Sequence, residues 1–411
     1  MSSLPVAPSL VQGSVEPGFE GVRFEFERNF RERGEIGAAF AVYHRGRKVV
    51  DLWGGHRDRQ RTRPWQADSL TTIFSSTKGI AALTLAHAHA RGLLEWDMPV
   101  AEVWPEFAQA GKGAITIREL QAHQAGLCAI DVPLDVAILA DPDRLAPILA
   151  AQAPAWAAGA RHGYHAISLG WYQSELLRRV DPARRTLGRY FREEIAAPLG
   201  LDIHIGLPET VSDERVARIV PGRLWDLLRK LGQPGVVPAR MVLAMFRRRS
   251  LTARAFGNPR LKNPAAINTD PGLRAVEIPS ANGMADARSV AKLYGTFATG
   301  GDELGIGKRT LDDLTAEPVP PRDGKHDVVL RTPMNYALGL SRPDAHWDFA
   351  SSGRAFGTPG AGGSFCFADP DARLGMAYIM NRMGQHLIDD PREKALRDAT
   401  YRAVAKIGPG A

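Results

Sequence analysis

Ser75 and Lys78, in IFSSTKGI (residues 73–80), are the pair in this chain with the shortest route to chemistry. Side chains three apart on a helix share a face, so the amine reaches the hydroxyl, and a serine in the first turn sits at the positive end of the helix dipole. That geometry suits nucleophilic attack by an activated hydroxyl. A lysine amine titrates at about 10.4 in water and accepts a proton at neutral pH only where burial or a nearby cation lowers that value. LTTIF before Ser75 and the almost uniformly apolar GIAALTLAHAHARG after Lys78 mark a buried segment, so the sequence predicts a desolvated Lys78.

Ser-x-x-Lys alone is a weak pattern, and a second copy occurs at Ser289 and Lys292. In MADARSVAKLYGTF the stripe Val290, Leu293 and Phe297 faces the core, which predicts that Ser289 and Lys292 face water and play a structural part. His87 and His89, two apart, point in different directions on a helix and read as solvated surface histidines, not metal ligands. The sequence holds no Gly-x-Ser-x-Gly elbow, no complete phosphate-binding loop and no dinucleotide-binding glycine fingerprint after a strand. Cys128 and Cys366, far apart, read as free buried thiols.

The elements that must position the pair follow from periodicity. Phe19, Val22, Phe26 and Phe30 form one stripe of an amphipathic helix closed by Gly34 and Gly37. AAFAVYHRGRKVVDLWGG reads as two strands around His44-Arg45-Gly46, and GSFCFADPDARLGMAYIMNR repeats that pattern around Asp369-Pro370-Asp371. Between them helical patterns dominate: one stopping at Gly92, TIRELQAHQAG stopping at Gly126, and SLGWYQSELLRRV. A last helix opens at Pro391 and ends at Gly408. The expectation is an α+β fold, an antiparallel β-sheet flanked by N- and C-terminal helices. Its discontinuous sheet domain covers residues 17–74 and 281–411, with a helical domain at 75–280 inserted and the site in the crevice between them.

With 411 residues, 44% of them hydrophobic, the chain can bury a large core. The net charge of +7 is read as spread along the chain, with Arg far more frequent than Lys, and FRRRS (246–250) as a solvated helix face, so nucleic acid is not expected as a partner. MSSLPVAPSLVQGSVEPG lacks a basic leader followed by an apolar run, and no later stretch stays apolar for the roughly 18 residues of a membrane span. These features predict a cytoplasmic protein without a membrane partner.

FSSTKGI, GLLEWDMPVAEVWPEF, TIRELQAHQAGL, GYHAISLGW around Tyr164, SANGMADARSVAKLYGTFATGG and FGTPGAGGSFCFADPDARLG, in this order, resemble the serine β-lactamase-like superfamily: class C β-lactamases, penicillin-binding proteins and, most closely, family VIII carboxylesterases. The resemblance covers most of the chain. It implies that Ser75 is the acylated nucleophile, Lys78 its activator and Tyr164 the phenol that relays a proton. It also implies an oxyanion hole from the backbone N–H groups of Ser75 and Ala361, and substrate contacts at Thr358, Gly360 and Gly362. Beside a Lys78 ammonium the Tyr164 phenolate would be favoured, so the two share one proton and the base is left open.

β-Lactamase members carry an Asn two residues after the Tyr and a Lys-Thr-Gly box; here those positions hold Ala166 and Thr358-Pro359-Gly360. An amide and a cation that hold a β-lactam are missing, and an uncharged ester needs neither. The expectation is therefore a carboxylesterase-type serine hydrolase acting on small or short-acyl esters, without metal or organic cofactor. Alternatives are an acyltransferase to an alcohol, a β-lactam or D-Ala-D-Ala hydrolase, and a non-catalytic homologue. A segment at 218–274, which mixes Trp225, Leu227, Leu228, Met241, Leu243, Met245 and Phe246 with Pro, Gly and Arg, is expected to form a mobile cap lining the acyl pocket.

Overall fold

The computed structural model describes residues 10–260 and 265–408; the first nine residues of the N-terminal stretch and residues 261–264 of the cap lie outside the described residues. Gly37–His44 and Arg47–Gly55 pair antiparallel around a turn in which Arg45 and Gly46 both take positive φ (53° and 78°). Phe365–Asp369 and Leu374–Met380 form the matching hairpin, turning through Arg373 at φ 50°. The hairpins join through Gly37–His44 and Leu374–Met380, with Ala41 opposite Ala377, so segments from the two ends of the chain close into one sheet.

That sheet has eight strands, in spatial order Val11–Val15, Arg47–Gly55, Gly37–His44, Leu374–Met380, Phe365–Asp369, Phe356–Pro359, Leu340–Ser341 and Tyr336–Ala337, with every neighbouring pair antiparallel. The edge strand Val11–Val15 precedes residue 17, where the sequence places the start of the sheet domain. Successive side chains of a strand point to opposite faces, and here both faces are covered. Ala38, Phe40 and Val42 enter a core with Phe26 of the Glu20–Glu32 helix and Leu396 of the Pro391–Ile407 helix. Ala39 and Ala41 enter the opposite core with Val290 and Phe297 of the Ala287–Ala298 helix. Two covered faces explain why these strands are apolar throughout instead of alternating.

The middle of the chain is largely helical, and several local expectations need correction. The helix expected to run to Gly126 covers Ile117–Gln121, opened by a Thr116/Glu119 capping box, and the chain then turns through His123 at φ 58°. FRRRS is exposed but lies in the turn after the Ala239–Met245 helix, not on a helix face. His87 and His89 are buried: His87 Nδ1 meets the Tyr190 hydroxyl at 3.0 Å, and His89 Nδ1 meets Thr310 Oγ1 at 2.8 Å. Both cysteines are free and buried.

Candidate active site

The Ser76–Ala90 helix starts at the junction of the two halves of the fold. A small sheet of Thr71–Thr72, Met284–Ala285 and Ile203–His204 fixes the approach. Ile73 N donates to Gly283 O (2.9 Å), and the Thr77 hydroxyl donates to Phe74 O (2.5 Å) and accepts from Gly283 N (2.9 Å). Phe74 is held at φ 46°, a left-handed conformation that costs a bulky side chain about 1–3 kcal/mol and persists where the surroundings dictate it. This turn brings Ser75 up to the surface. From Ser69 to His89 every residue is buried except Ser75.

Lys78, one turn on, is 1% exposed. Its Nζ donates to the carbonyls of Ala166 (2.7 Å) and Ser280 (2.9 Å) and lies 3.4 Å from Ser75 Oγ. No carboxylate pairs with it among the described residues, and burial alone pulls its pKa well below the usual lysine value. A neutral amine has two N–H bonds and one lone pair. The two carbonyls take the N–H bonds, which leaves the lone pair facing the Ser75 hydroxyl.

Tyr164 is partly buried, with the Lys78 amine 4.6 Å from its ring centroid. Its phenol is pushed upward by burial and by the charge of Asp327, opposed by a hydrogen bond with Ser75. The sequence leaves open which of the two holds the shared proton; burial drives both groups toward their neutral forms. Behind Tyr164 stand His123 (ring centroids 5.0 Å apart), Phe256 (6.4 Å) and Tyr336 (6.3 Å, stacked). Leu127 N donates to His165 Nε2 (3.2 Å), so the His165 proton sits on Nδ1 and points at His123 Nδ1 (3.2 Å), which also accepts from His165 N (3.0 Å). Both imidazoles are thus neutral, and burial holds His165 down to about 3.

Asp327 is buried beneath this group, accepting from Val329 N and Leu330 N (2.8 Å each) and from the Tyr164 N–H. Burial pushes its carboxyl up to about 6, with those donors opposing. Sequence reasoning missed Asp327, Ser280, His123 and Tyr336 as parts of the site. For His123 and Ser280 a signal existed in the segments QAHQAGL and SANGM; Asp327 in KHDVVL reads as an ordinary loop carboxylate.

The edge of the site is the strand Phe356–Pro359 and the turn after it. Ser76 Oγ donates to Thr358 O (3.1 Å), tying the strand to the first turn of the helix. A Cβ on Gly360 would stand 2.4 Å from Ile73 O, so only glycine lets the strand pass this close. Gly362, at φ 91°, offers its carbonyl to Arg392 Nη2 and Gly384 N (2.7 Å each). Ala361 is exposed between these clamps, and neither its N–H nor that of Ser75 has a hydrogen-bond acceptor among the described residues. Thr358 needs correction as a substrate contact: it is buried, and its hydroxyl faces Gly79 and Tyr294.

The second Ser-x-x-Lys pair is structural, as expected, but does not face water. Ser289 is buried, donating to Asp286 Oδ2 (3.1 Å) and accepting from Asp202 N (2.9 Å), while Lys292 Nζ donates to Leu199 O (2.6 Å). Each has a structural partner elsewhere, and no hydrogen bond joins them.

The chain matches the beta-lactamase family over residues 26–400. It is 34% identical over 388 residues to the esterase/beta-lactamase LipL of Mycobacterium tuberculosis, covering 93% of this chain and 86% of that protein. The crystal structure of a family VIII carboxylesterase superposes with a TM-score of 0.83 at 36% identity, over 96% of this chain and 99% of that one. A penicillin-binding protein homologue from Caulobacter crescentus gives 0.82 at 38% identity, over 96% and 99%. A family match across nearly the whole chain, with two structures above 35% identity on the same fold, means that this chain belongs to the beta-lactamase family.

Proposed function

We propose that this chain is a serine hydrolase that cleaves small or short-acyl carboxylic esters through an acyl-enzyme on Ser75. The observation that carries the reading is the anchoring of Lys78 by two backbone carbonyls, which turns a dehydrated amine toward Ser75 Oγ. Lys78 accepts the Ser75 proton as Oγ bonds to the ester carbonyl carbon. The N–H groups of Ser75 and Ala361 hold the oxyanion that forms. As the C–O bond to the alcohol breaks, the Tyr164 phenol protonates the leaving oxygen, and the Lys78 ammonium returns a proton to the phenolate. Water then attacks the acyl carbon, its proton passes to Lys78 and on to Ser75 Oγ, and the carboxylic acid leaves.

The named activities of the relatives support the ester class: an esterase/beta-lactamase at 34% identity and a family VIII carboxylesterase at 36%. The cap supports a small acyl pocket, because Met241 packs with Leu330, Met334 and Tyr336, and Phe256 reaches the Tyr164 ring. The test is a chromogenic ester series from acetate to decanoate run beside a chromogenic cephalosporin. The expected result is kcat/KM highest at the short end and the cephalosporin far below; faster cephalosporin turnover would overturn the assignment. In the same series Phe256→Trp narrows the pocket, lowering the hexanoate-to-acetate ratio by roughly 10-fold, as a filled methylene site does.

Gly360→Ala tests the strand edge. Its Cβ would press on Ile73 O at 2.4 Å and Ser364 Oγ at 2.2 Å, pushing the Ala361 N–H out of line with Ser75. Misplacing one oxyanion donor lowers kcat by about 10²- to 10³-fold with a smaller change in KM. A kcat unchanged in a folded variant would remove Ala361 from the oxyanion hole.

A further inference from the structure

The cap carries a surface that ester hydrolysis does not require. Trp225 is 75% and Phe246 82% exposed, and Leu228, Leu243 and Met245 are exposed with them. In the helices Leu224–Lys230 and Ala239–Met245, Trp225 and Leu228 lie three apart, as do Leu243 and Phe246 at the end of the second, so each segment turns an apolar stripe outward. A groove of about 1030 Å³ borders the second stripe, lined by Val136, Met245 and Arg248 and also by Asp131, Asp135 and Asp270.

Cations surround these stripes. Residues 218–260 hold ten Arg and Lys side chains against the single acid Asp226, a surplus larger than the +7 of the whole chain, so the basic charge is concentrated and not spread as the sequence reading had it. Arg218 pairs with Asp213 and Arg254 with Asp131. Arg223, Arg229, Arg240 and Arg247–Arg249 are exposed, and none of them makes an ion pair among the described residues.

We infer that these exposed stripes of the cap dock peripherally on an anionic lipid surface. Exposed Trp and Phe with aliphatic side chains, rimmed by unpaired Arg, are the complement of an acyl boundary under anionic headgroups. A second copy of the same face would bring like charges together. Nucleic acid would engage the Arg and aromatic groups but leave Leu228, Leu243 and Met245 without a counterpart. Docking needs no membrane span, and no helix among the described residues is long and apolar enough to be one.

The test is flotation of the full chain with phosphatidylglycerol and with phosphatidylcholine vesicles, beside Trp225→Ala/Phe246→Ala and Arg247→Gln/Arg248→Gln/Arg249→Gln. Short-ester turnover in solution is the folding control and stays within about twofold of wild type in both variants, since these side chains are exposed and, among the described residues, none is hydrogen-bonded or ring-stacked to a residue of the site. Wild type is expected to float with phosphatidylglycerol, not phosphatidylcholine, and to lose binding at high salt. Removing three charges lowers the partition coefficient roughly 100-fold, and the aromatic variant lowers it at least about 10-fold. No flotation with anionic vesicles overturns the inference. So does an aromatic variant that floats like wild type, RNA binding stronger than vesicle binding, or a concentration-dependent dimer abolished by the aromatic variant.

Discussion

Ser75→Ala abolishes ester turnover, lowering kcat by about 10⁴- to 10⁶-fold, whereas Ser289→Ala stays within about twofold of wild type. The two serines share the Ser-x-x-Lys pattern but not its physical setting. Ser75 is the one residue between Ser69 and His89 that is not buried, and its Oγ faces a lysine nitrogen whose N–H bonds are engaged elsewhere. Ser289 is enclosed, donating to Asp286 and accepting from the Asp202 N–H. Its replacement leaves those two groups short of a partner and lowers stability by about 1 kcal/mol, visible as a lower Tm and not as a slower enzyme. The measurement is burst kinetics on a chromogenic acetate, together with the mass of the intact protein after an organophosphonate probe. A covalent increment should appear in wild type and Ser289→Ala and vanish in Ser75→Ala. Equal loss of turnover in both variants, or in neither, would sink the nucleophile assignment.

What the sequence could reveal about this site divides by the range of the forces involved. The two hairpins were legible because a positive-φ turn and its flanking apolar runs are local, and Arg45-Gly46 and Arg373 carry that signal. Desolvation of Lys78 was legible because the helix around it is apolar on every side. The end of the helix at Gln121 was not, since His123 is held in its left-handed turn by contacts with His165 and Tyr336, far along the chain. His87 and His89 looked solvated because their partners, Tyr190 and Thr310, lie more than 100 and 200 residues away. The strand Val11–Val15 hid behind Gly13, a poor strand residue that pairs with Leu52 all the same. The state of Tyr164 depended first on its burial and then on Asp327, which nothing in KHDVVL places beneath a phenol.

The departures from the β-lactamase pattern take on a physical meaning once Lys78 is located. Ala166 replaces an amide side chain, yet its backbone carbonyl, independent of side-chain identity, is one of the two groups that hold the amine. Lys78 therefore keeps its anchor while the site loses a polar arm. Thr358, at the position of the lysine in the Lys-Thr-Gly box, turns its hydroxyl toward Gly79 and Tyr294, so that box supplies no cation near Ser75. Both changes leave Ser75, Lys78 and the Gly360–Gly362 edge in place; one removes an amide arm and the other a cation that would pair with a carboxylate. This is the selectivity expected of a site for uncharged esters.

Lys78→Met is the sharper test of the chemistry, because one variant reports on activity and on the energetics of burial together. Removing the base lowers kcat by about 10⁴-fold or more. In wild type the acid limb of kcat/KM follows deprotonation of Lys78, so the rate falls tenfold per pH unit below its depressed pKa; in the variant that limb disappears from the residual rate. The stability difference has a fixed sign. The folded pKa lies below the unfolded value of 10.5, so between the two the unfolded chain binds the extra proton and the wild type gains stability as pH rises. Below the depressed pKa the full cost of burying an ammonium is present; above 10.5 it is gone. Denaturant unfolding of both proteins should therefore show wild type gaining on Lys78→Met by up to ~1.4 kcal/mol per pH unit across that window. The carbonyls of Ala166 and Ser280 lose a donor in the variant, a cost of about 1 kcal/mol each that does not vary with pH, so the slope isolates the amine. A flat difference from pH 6 to pH 10 would mean that the amine keeps its ordinary affinity for a proton, and a lysine so placed could not take one from Ser75.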